Sequence, residues 1–238
     1  MGGKKLTFCC VVYVKYLPLT KFIKMSEMNV PFLVSLEGNI GSGKSTLLKK
    51  LREARPDWMF VDEPVDSWMS IKNDNGENLL EVFYNDIKRW SYTFQNAAVL
   101  SRGIMVEEAV KTWQAGNKKT KVILMERCVE TDKNVFAKML KADGMLNGIE
   151  WTLYNKWYEY ITKQIPSINL FIWVNTPSTI CAERIKIRNR QGEDGISLDY
   201  LQNLEKTHTE WLTDVNTSEV YASCDVNDVI QKIEELSK

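Results

Sequence analysis

Eight consecutive residues, Gly38-Asn39-Ile40-Gly41-Ser42-Gly43-Lys44-Ser45, fit the pattern G-x-x-x-x-G-K-[ST]. Triphosphate oxygens need a concave set of backbone N–H donors, and glycine lets the backbone come that close. A helix opening at the end of the turn, through Lys44, Ser45 and Thr46, adds its partial positive charge. In such a cradle Lys44 reaches the β- and γ-phosphates and the Ser45 hydroxyl ligates Mg²⁺. The pattern means nucleotide binding and leaves the phosphoryl acceptor open. Glu63, in Asp62-Glu63-Pro64, offers an answer: a carboxylate in a phosphate cleft can take the proton of an attacking hydroxyl. Its plain alternative is a solvated loop acid. Arg184, Arg188 and Arg190 lead into Gln191-Gly192-Glu193-Asp194-Gly195. They read either as a solvated face or as cations closing on a transferred phosphoryl group.

Residues this far apart need a scaffold to bring them together. Short apolar runs at 32–36, 58–61, 121–125 and 169–174 read as buried strands, and 220–224 is a fifth candidate. Between them, helical patterns cover 43–54, 77–89, 92–114, 130–141, 148–164, 177–190 and 198–212, with a last one from 227. Strands alternating with helices predict an α/β fold, a parallel sheet of about five strands with helices on both faces. Ligands of such sheets sit beyond the carboxyl ends of the strands. Gly38, Glu63, Glu126 and Arg127 all fall at those ends.

The 238 residues carry 31 basic and 31 acidic side chains, so a nucleic-acid polymer is not the suggested partner. The five cysteines match no zinc spacing and read as reduced thiols, and the single histidine, His208, argues against a histidine triad. No apolar run approaches the roughly 20 residues of a membrane span. Residues 1–30 are set apart as an N-terminal extension, disordered or targeting, ahead of a domain at 31–238. A cytoplasmic location is expected, or a mitochondrial one if residues 1–29 act as a presequence.

Taken together, Glu37-Gly38 to Ser45, Glu63-Pro64-Val65 with Trp68, Phe94-Gln95, Glu126-Arg127, Glu183-Arg184-Ile185 to Glu193, and Leu198-Asp199-Tyr200-Leu201 resemble the deoxyribonucleoside kinases. The resemblance covers roughly residues 31–225. It implies a P-loop fold that moves the γ-phosphate of ATP, or another NTP, to the 5′-hydroxyl of a deoxynucleoside, with Mg²⁺, in a homodimer. It implies Glu63 as catalytic base, Arg127 beside it and Glu126 near the metal. It further implies Gln95 on the nucleobase, Trp68 and Phe136 as aromatic walls, Tyr84 with Glu193 on the sugar 3′-hydroxyl, and a lid bearing Arg184, Arg188 and Arg190. The chain departs from the family at Cys128, where Ser is usual, which puts the local support of Arg127 in question.

Arg102 lies seven residues after Gln95, and Asp132 five after Arg127. These positions resemble deoxycytidine and deoxyguanosine kinases and imply a preference for deoxycytidine or purine deoxynucleosides over thymidine. A carboxylate accepts from an exocyclic amino group and faces the O4 of thymine badly; an ion pair that only packs the pocket rim is the alternative. Two rival functions remain: a nucleoside monophosphate kinase of the thymidylate-kinase kind, and a non-catalytic P-loop nucleotide-binding module.

Overall fold

The computed structural model describes residues 11–16, 30–116, 120–190, 192–193, 195–213, 220–222 and 226–238. Its strands are β1 (Val11–Tyr16), β2 (Phe32–Glu37), β3 (Met59–Val61), β4 (Val122–Glu126), β5 (Leu170–Asn175) and β6 (Val220–Ala222). They form one sheet in the order β3-β4-β2-β5-β1-β6. The α/β architecture is as expected, and the four strands β3, β4, β2 and β5 are parallel. The strand count differs: β1, within the segment read as an extension, runs antiparallel to both β5 and β6. The rest of the expected extension, residues 1–10 and 17–29, lies outside the described residues, as do 223–224 of the fifth candidate strand.

β2 and β4 are buried at every position, the signature of strands covered on both faces. β2 lies between β4 and β5, and the phosphate turn leaves from its carboxyl end. Among the described residues ten α-helices flank the sheet: α1 (Lys44–Ala54), α2 (Val65–Ser70), α3 (Leu79–Asn85), α4 (Ile87–Ala115), α5 (Val129–Thr131), α6 (Lys138–Ala142), α7 (Gly148–Thr162), α8 (Ser178–Arg188), α9 (Leu198–Thr213) and α10 (Val226–Leu236). α1 turns Leu47, Leu48 and Leu51 inward to meet Leu36, Leu124 and Val174 of the sheet. Asn78 opens α3 and Asn147 opens α7, each through a reciprocal capping box with the acid three residues on.

The helix reading needs correcting at three places. The pattern at 77–89 ends at Asp86, whose carboxylate accepts from the Arg89 N–H and so starts α4 there. α2 is a six-residue helix that no periodic pattern marked. The single helix expected at 130–141 is broken: a π-helical segment, Asp132–Ala137, joins α5 to α6. Its wider turns insert a residue into the helix, as π-segments often do at functional sites. α4 and α7 approach closely at Gly103, where a Cβ would meet Ile161 Cγ2 at 2.4 Å.

Candidate active site

The phosphate turn is shaped by what packs behind it. Gly38 sits at φ 144°, and a Cβ there would come within 2.5 Å of the Val174 carbonyl oxygen. Asn39 is tied down by its amide, which donates to the Leu201 carbonyl at 2.8 Å. Ser42 is buried; its carbonyl accepts from Thr176 Oγ1 at 2.9 Å and from Arg184 Nη1 at 2.8 Å. Lys44 donates to the Asn39 carbonyl at 2.7 Å and lies 3.8 Å from Glu126. Burial, with Arg127 nearby, lowers the Lys44 ammonium to about 8, against the pull of Glu126, Glu63 and Glu37. Ser45 Oγ donates to Glu126 Oε1 at 3.1 Å.

Glu63 follows β3 by two residues and reaches the centre of the cleft. Its Oε1 accepts from Arg127 Nη1 at 2.6 Å and from Arg102 Nη2 at 3.0 Å. Burial alone would raise this carboxyl; the guanidiniums of Arg127 and Arg102 overcome it and hold the group well below the usual carboxylate range. Arg127 also donates to the Gly38 carbonyl at 3.0 Å, so one side chain joins the carboxylate to the phosphate turn. Its backbone is left-handed at φ 61°, unusual for a residue with a Cβ, and its Nε is buried without a partner.

The support of this turn answers the question raised by Cys128. Glu37, fully buried at the end of β2, accepts from Thr131 Oγ1 at 2.7 Å, Ser35 Oγ at 2.6 Å and the more distant Cys128 thiol at 3.4 Å. Thr131 Oγ1 in turn accepts from the Cys128 N–H at 3.1 Å. A chain of short hydrogen bonds thus runs from the strand before the phosphate turn to the residue after Arg127, and the thiol is its weakest member. Glu37 and Thr131 are structural supports to which sequence reasoning gave no role, because their pairing spans 94 residues.

Beside this centre lies a cavity of about 360 Å³. Trp68, Phe94, Phe136, Leu80, Val65 and Ala98 wall it, and Gln95, Tyr84, Arg102 and Asp132 supply polar groups. Trp68 is held by its indole N–H, which donates to Ser101 Oγ at 3.0 Å. Gln95 is buried with its Oε1 lacking any partner, a costly state unless a ligand meets it. Arg102 donates through Nε to both Asp132 oxygens, at 3.0 and 3.2 Å, and through Nη1 to the Glu126 carbonyl at 3.0 Å. Burial pushes Asp132 up to about 6 against the pull of Arg102. Burial, then Tyr200 and Glu193, push the Tyr84 hydroxyl well above its usual range.

The arginines expected in a lid lie at the same cavity. Arg184, Arg188, Arg190 and Glu193 all line it, with Ile40, Gly41, Gly43, Ser45 and Thr46 opposite. Glu193 is engaged with arginines rather than with Tyr84: Arg188 Nη2 donates to it at 2.7 and 2.8 Å and Arg190 Nη1 at 3.2 Å. Gln191 and Asp194 lie outside the described residues. The predicted residues therefore converge on one cleft, with Gly38, Asn39 and Ser42 shaping it from behind. Val65, Leu80, Phe94 and Ala98 were not expected as lining residues. Each is an apolar side chain indistinguishable in sequence from core, although Val65 and Phe94 sit within the quoted motifs.

Comparison with known proteins decides the family. The family model described as deoxynucleoside kinase matches residues 34–238. The chain belongs to the deoxynucleoside kinase family. Deoxycytidine kinase 2 of Gallus gallus is 35% identical over 75% of this chain and 73% of its own length. The mitochondrial deoxyguanosine kinase of Xenopus laevis is 33% identical, covering 83% and 79%. A probable deoxycytidine kinase of fowlpox virus is 35% identical, covering 84% and 80%. As a member of this family the chain is an ATP-dependent enzyme that phosphorylates deoxynucleosides. Among the described residues, no helix is long and apolar enough to cross a membrane.

Proposed function

We propose that the enzyme moves the γ-phosphate of ATP to the 5′-hydroxyl of deoxycytidine or a purine deoxynucleoside in preference to thymidine, with Glu63 as the base. The observation that carries this reading is that Lys44, Glu63 and Gln95 line one cleft. Lys44 and the phosphate turn take the donor, and Gln95 offers a donor and an acceptor to a base edge. Trp68 and Phe136 hold the base between apolar faces. Asp132, ion-paired with Arg102 at 3.0 Å, accepts from an exocyclic amino group and repels the O4 of thymine.

In this reading the hydroxyl approaches Glu63 and gives up its proton to it as its oxygen bonds to the γ-phosphorus and the bond from that phosphorus to the β–γ bridging oxygen breaks, releasing ADP. Two guanidiniums weaken the basicity of the resting carboxylate. When charge develops on the phosphoryl group, Arg127 turns toward it and Glu63 regains basicity at the moment of transfer. Arg184, Arg188 and Arg190 neutralise the same charge, and Glu193, released from Arg188, meets the sugar 3′-hydroxyl with Tyr84. The Ser45 hydroxyl and the Glu126 carboxylate are hard oxygen donors 3.1 Å apart and fit Mg²⁺, which when bound would neutralise charge on the β- and γ-phosphate oxygens.

The homodimer is likewise a proposal. Leu100 and Ile104 of α4 and Ile149, Leu153, Trp157 and Tyr160 of α7 are exposed apolar residues on two helices that pack together. A second copy covering them would remove that surface from water. The proposed compartment is the cytoplasm, with the mitochondrion the alternative if residues 1–29 act as a presequence. The mechanism is tested at Glu63. Glu63→Gln is expected to lower kcat by about 100-fold, the scale of a lost general base, with KM for ATP little changed. Wild-type turnover in that variant would remove Glu63 from the mechanism.

A further inference from the structure

Lys133 stands next to Asp132 in the π-helical segment, and its side chain turns away from the cleft toward α7. Its ammonium lies 4.6 Å from the ring centre of Tyr158 and 5.5 Å from that of Trp151. Between those aromatics on the same helix, Asn155 Oδ1 accepts a hydrogen bond from Lys133 Nζ. Residues 151, 155 and 158 share one face at helical spacing, so α7 presents a half-cage for a cation. Partial burial lowers the Lys133 ammonium, which Glu159 partly restores. α7 itself is fixed by its Asn147–Glu150 capping box and by its close packing on α4 near Gly103.

The segment that Lys133 anchors carries two cleft residues. Asp132 precedes it by one position and Phe136 follows by three, and both line the cavity. A π-helical turn is a rare insertion within α-helix, and contacts from outside the segment would oppose its relaxation toward α geometry. Relaxation would rotate Asp132 against Arg102 and shift the ring of Phe136. Lys133 is the side chain of this segment that ties it to α7 by charge.

We propose that Lys133 is a positioning residue for the nucleobase: clamped by Trp151, Asn155 and Tyr158, it holds the π-helical segment in the register that aims Asp132 and Phe136 into the pocket. The proposal rests on the reading of Asp132 and Phe136 as base contacts. Its role is geometric, and no proton or bond passes through it.

Steady-state kinetics of Lys133→Met and Lys133→Arg, measured with deoxycytidine, deoxyadenosine, deoxyguanosine and ATP beside Asp132→Ala, tests this. Lys133→Met keeps the length and loses the charge. It is expected to raise KM for the preferred deoxynucleoside about five- to tenfold, the scale of a partly desolvated cation–π contact, with KM for ATP and kcat within about twofold. Lys133→Arg keeps the cation on the aromatic faces and is expected to restore wild-type KM. Unchanged deoxynucleoside KM in Lys133→Met would overturn the proposal, as would a parallel loss for ATP and deoxynucleoside with a lowered Tm, which marks a merely structural side chain. Should Lys133→Met not fold, Tyr158→Leu opens the cage from the other side and is read by the same KM split and by the same overturning results. Asp132→Ala separates the two levels. If it leaves base preference unchanged, the base-contact reading itself fails; if it shifts preference while Lys133→Met changes nothing, only the clamp fails.

Discussion

Arg102 joins parts of the cleft that lie far apart in the chain. It bonds Asp132 in the cavity wall, Glu63 at the centre of the cleft and the Glu126 carbonyl at the end of β4. Removing it alone leaves Asp132 as a buried charge without its partner, the costly half of breaking an ion pair. Arg102→Met should therefore lose more kcat than Arg102→Met with Asp132→Ala, because the double variant removes both charges. The double variant should also raise the kcat/KM ratio of thymidine to deoxycytidine by about tenfold or more, the scale of relieving an unmatched polar contact. Steady-state assays of the two variants with both nucleosides check this. A double variant worse than the single, or an unmoved ratio, would contradict the coupling. Gln95 and Asp132 could be placed in the pocket from sequence because their positions resemble those of the deoxynucleoside kinases. Glu37 was given no role, since its partners Thr131 and Cys128 are distant in the chain.

The elements were legible to different degrees, for physical reasons. β2, β4 and β5 are buried apolar runs, and a continuous apolar run ending in Glu-Gly or Glu-Arg announces a central parallel strand. α2 has only six residues, too few to show a period, and the π-helical segment changes a period that sequence patterns assume constant. β1 was hidden in a basic, apolar stretch that read as an extension. The turn between β2 and α1 was the clearest feature of all, because its glycines are demanded by neighbours. Gly38→Ala would press a methyl group to 2.5 Å from the Val174 carbonyl at a φ that L residues avoid. It should cost about 1–3 kcal/mol in stability, read as a lower Tm, and raise KM for ATP more than KM for deoxynucleoside. Equal effects on both substrates would show that the turn does not act chiefly on the donor.

At the scale of the whole molecule, the carboxyl ends of β2, β3 and β4 converge on one cleft, and Arg184 and Arg188 of α8 line it. The apolar surface on α4 and α7 lies outside that convergence, and nothing in its periodicity separated it from core before exposure was known. Trp157 is 54% exposed, so Trp157→Glu should leave the monomer folded and shift the protein to monomer in analytical ultracentrifugation. An unshifted dimer would place the interface elsewhere. The rival functions differ from the proposed one in what they accept, since a monophosphate kinase needs a phosphate on the acceptor and a binding module needs no acceptor at all. The decisive measurement is ATP consumption by the purified enzyme with each of the four deoxynucleosides, and with dCMP and dTMP, added singly. The account predicts turnover that depends on an added deoxynucleoside, with deoxycytidine or a purine deoxynucleoside giving the highest kcat/KM. Highest kcat/KM for thymidine, for either monophosphate, or turnover indifferent to any acceptor would contradict it.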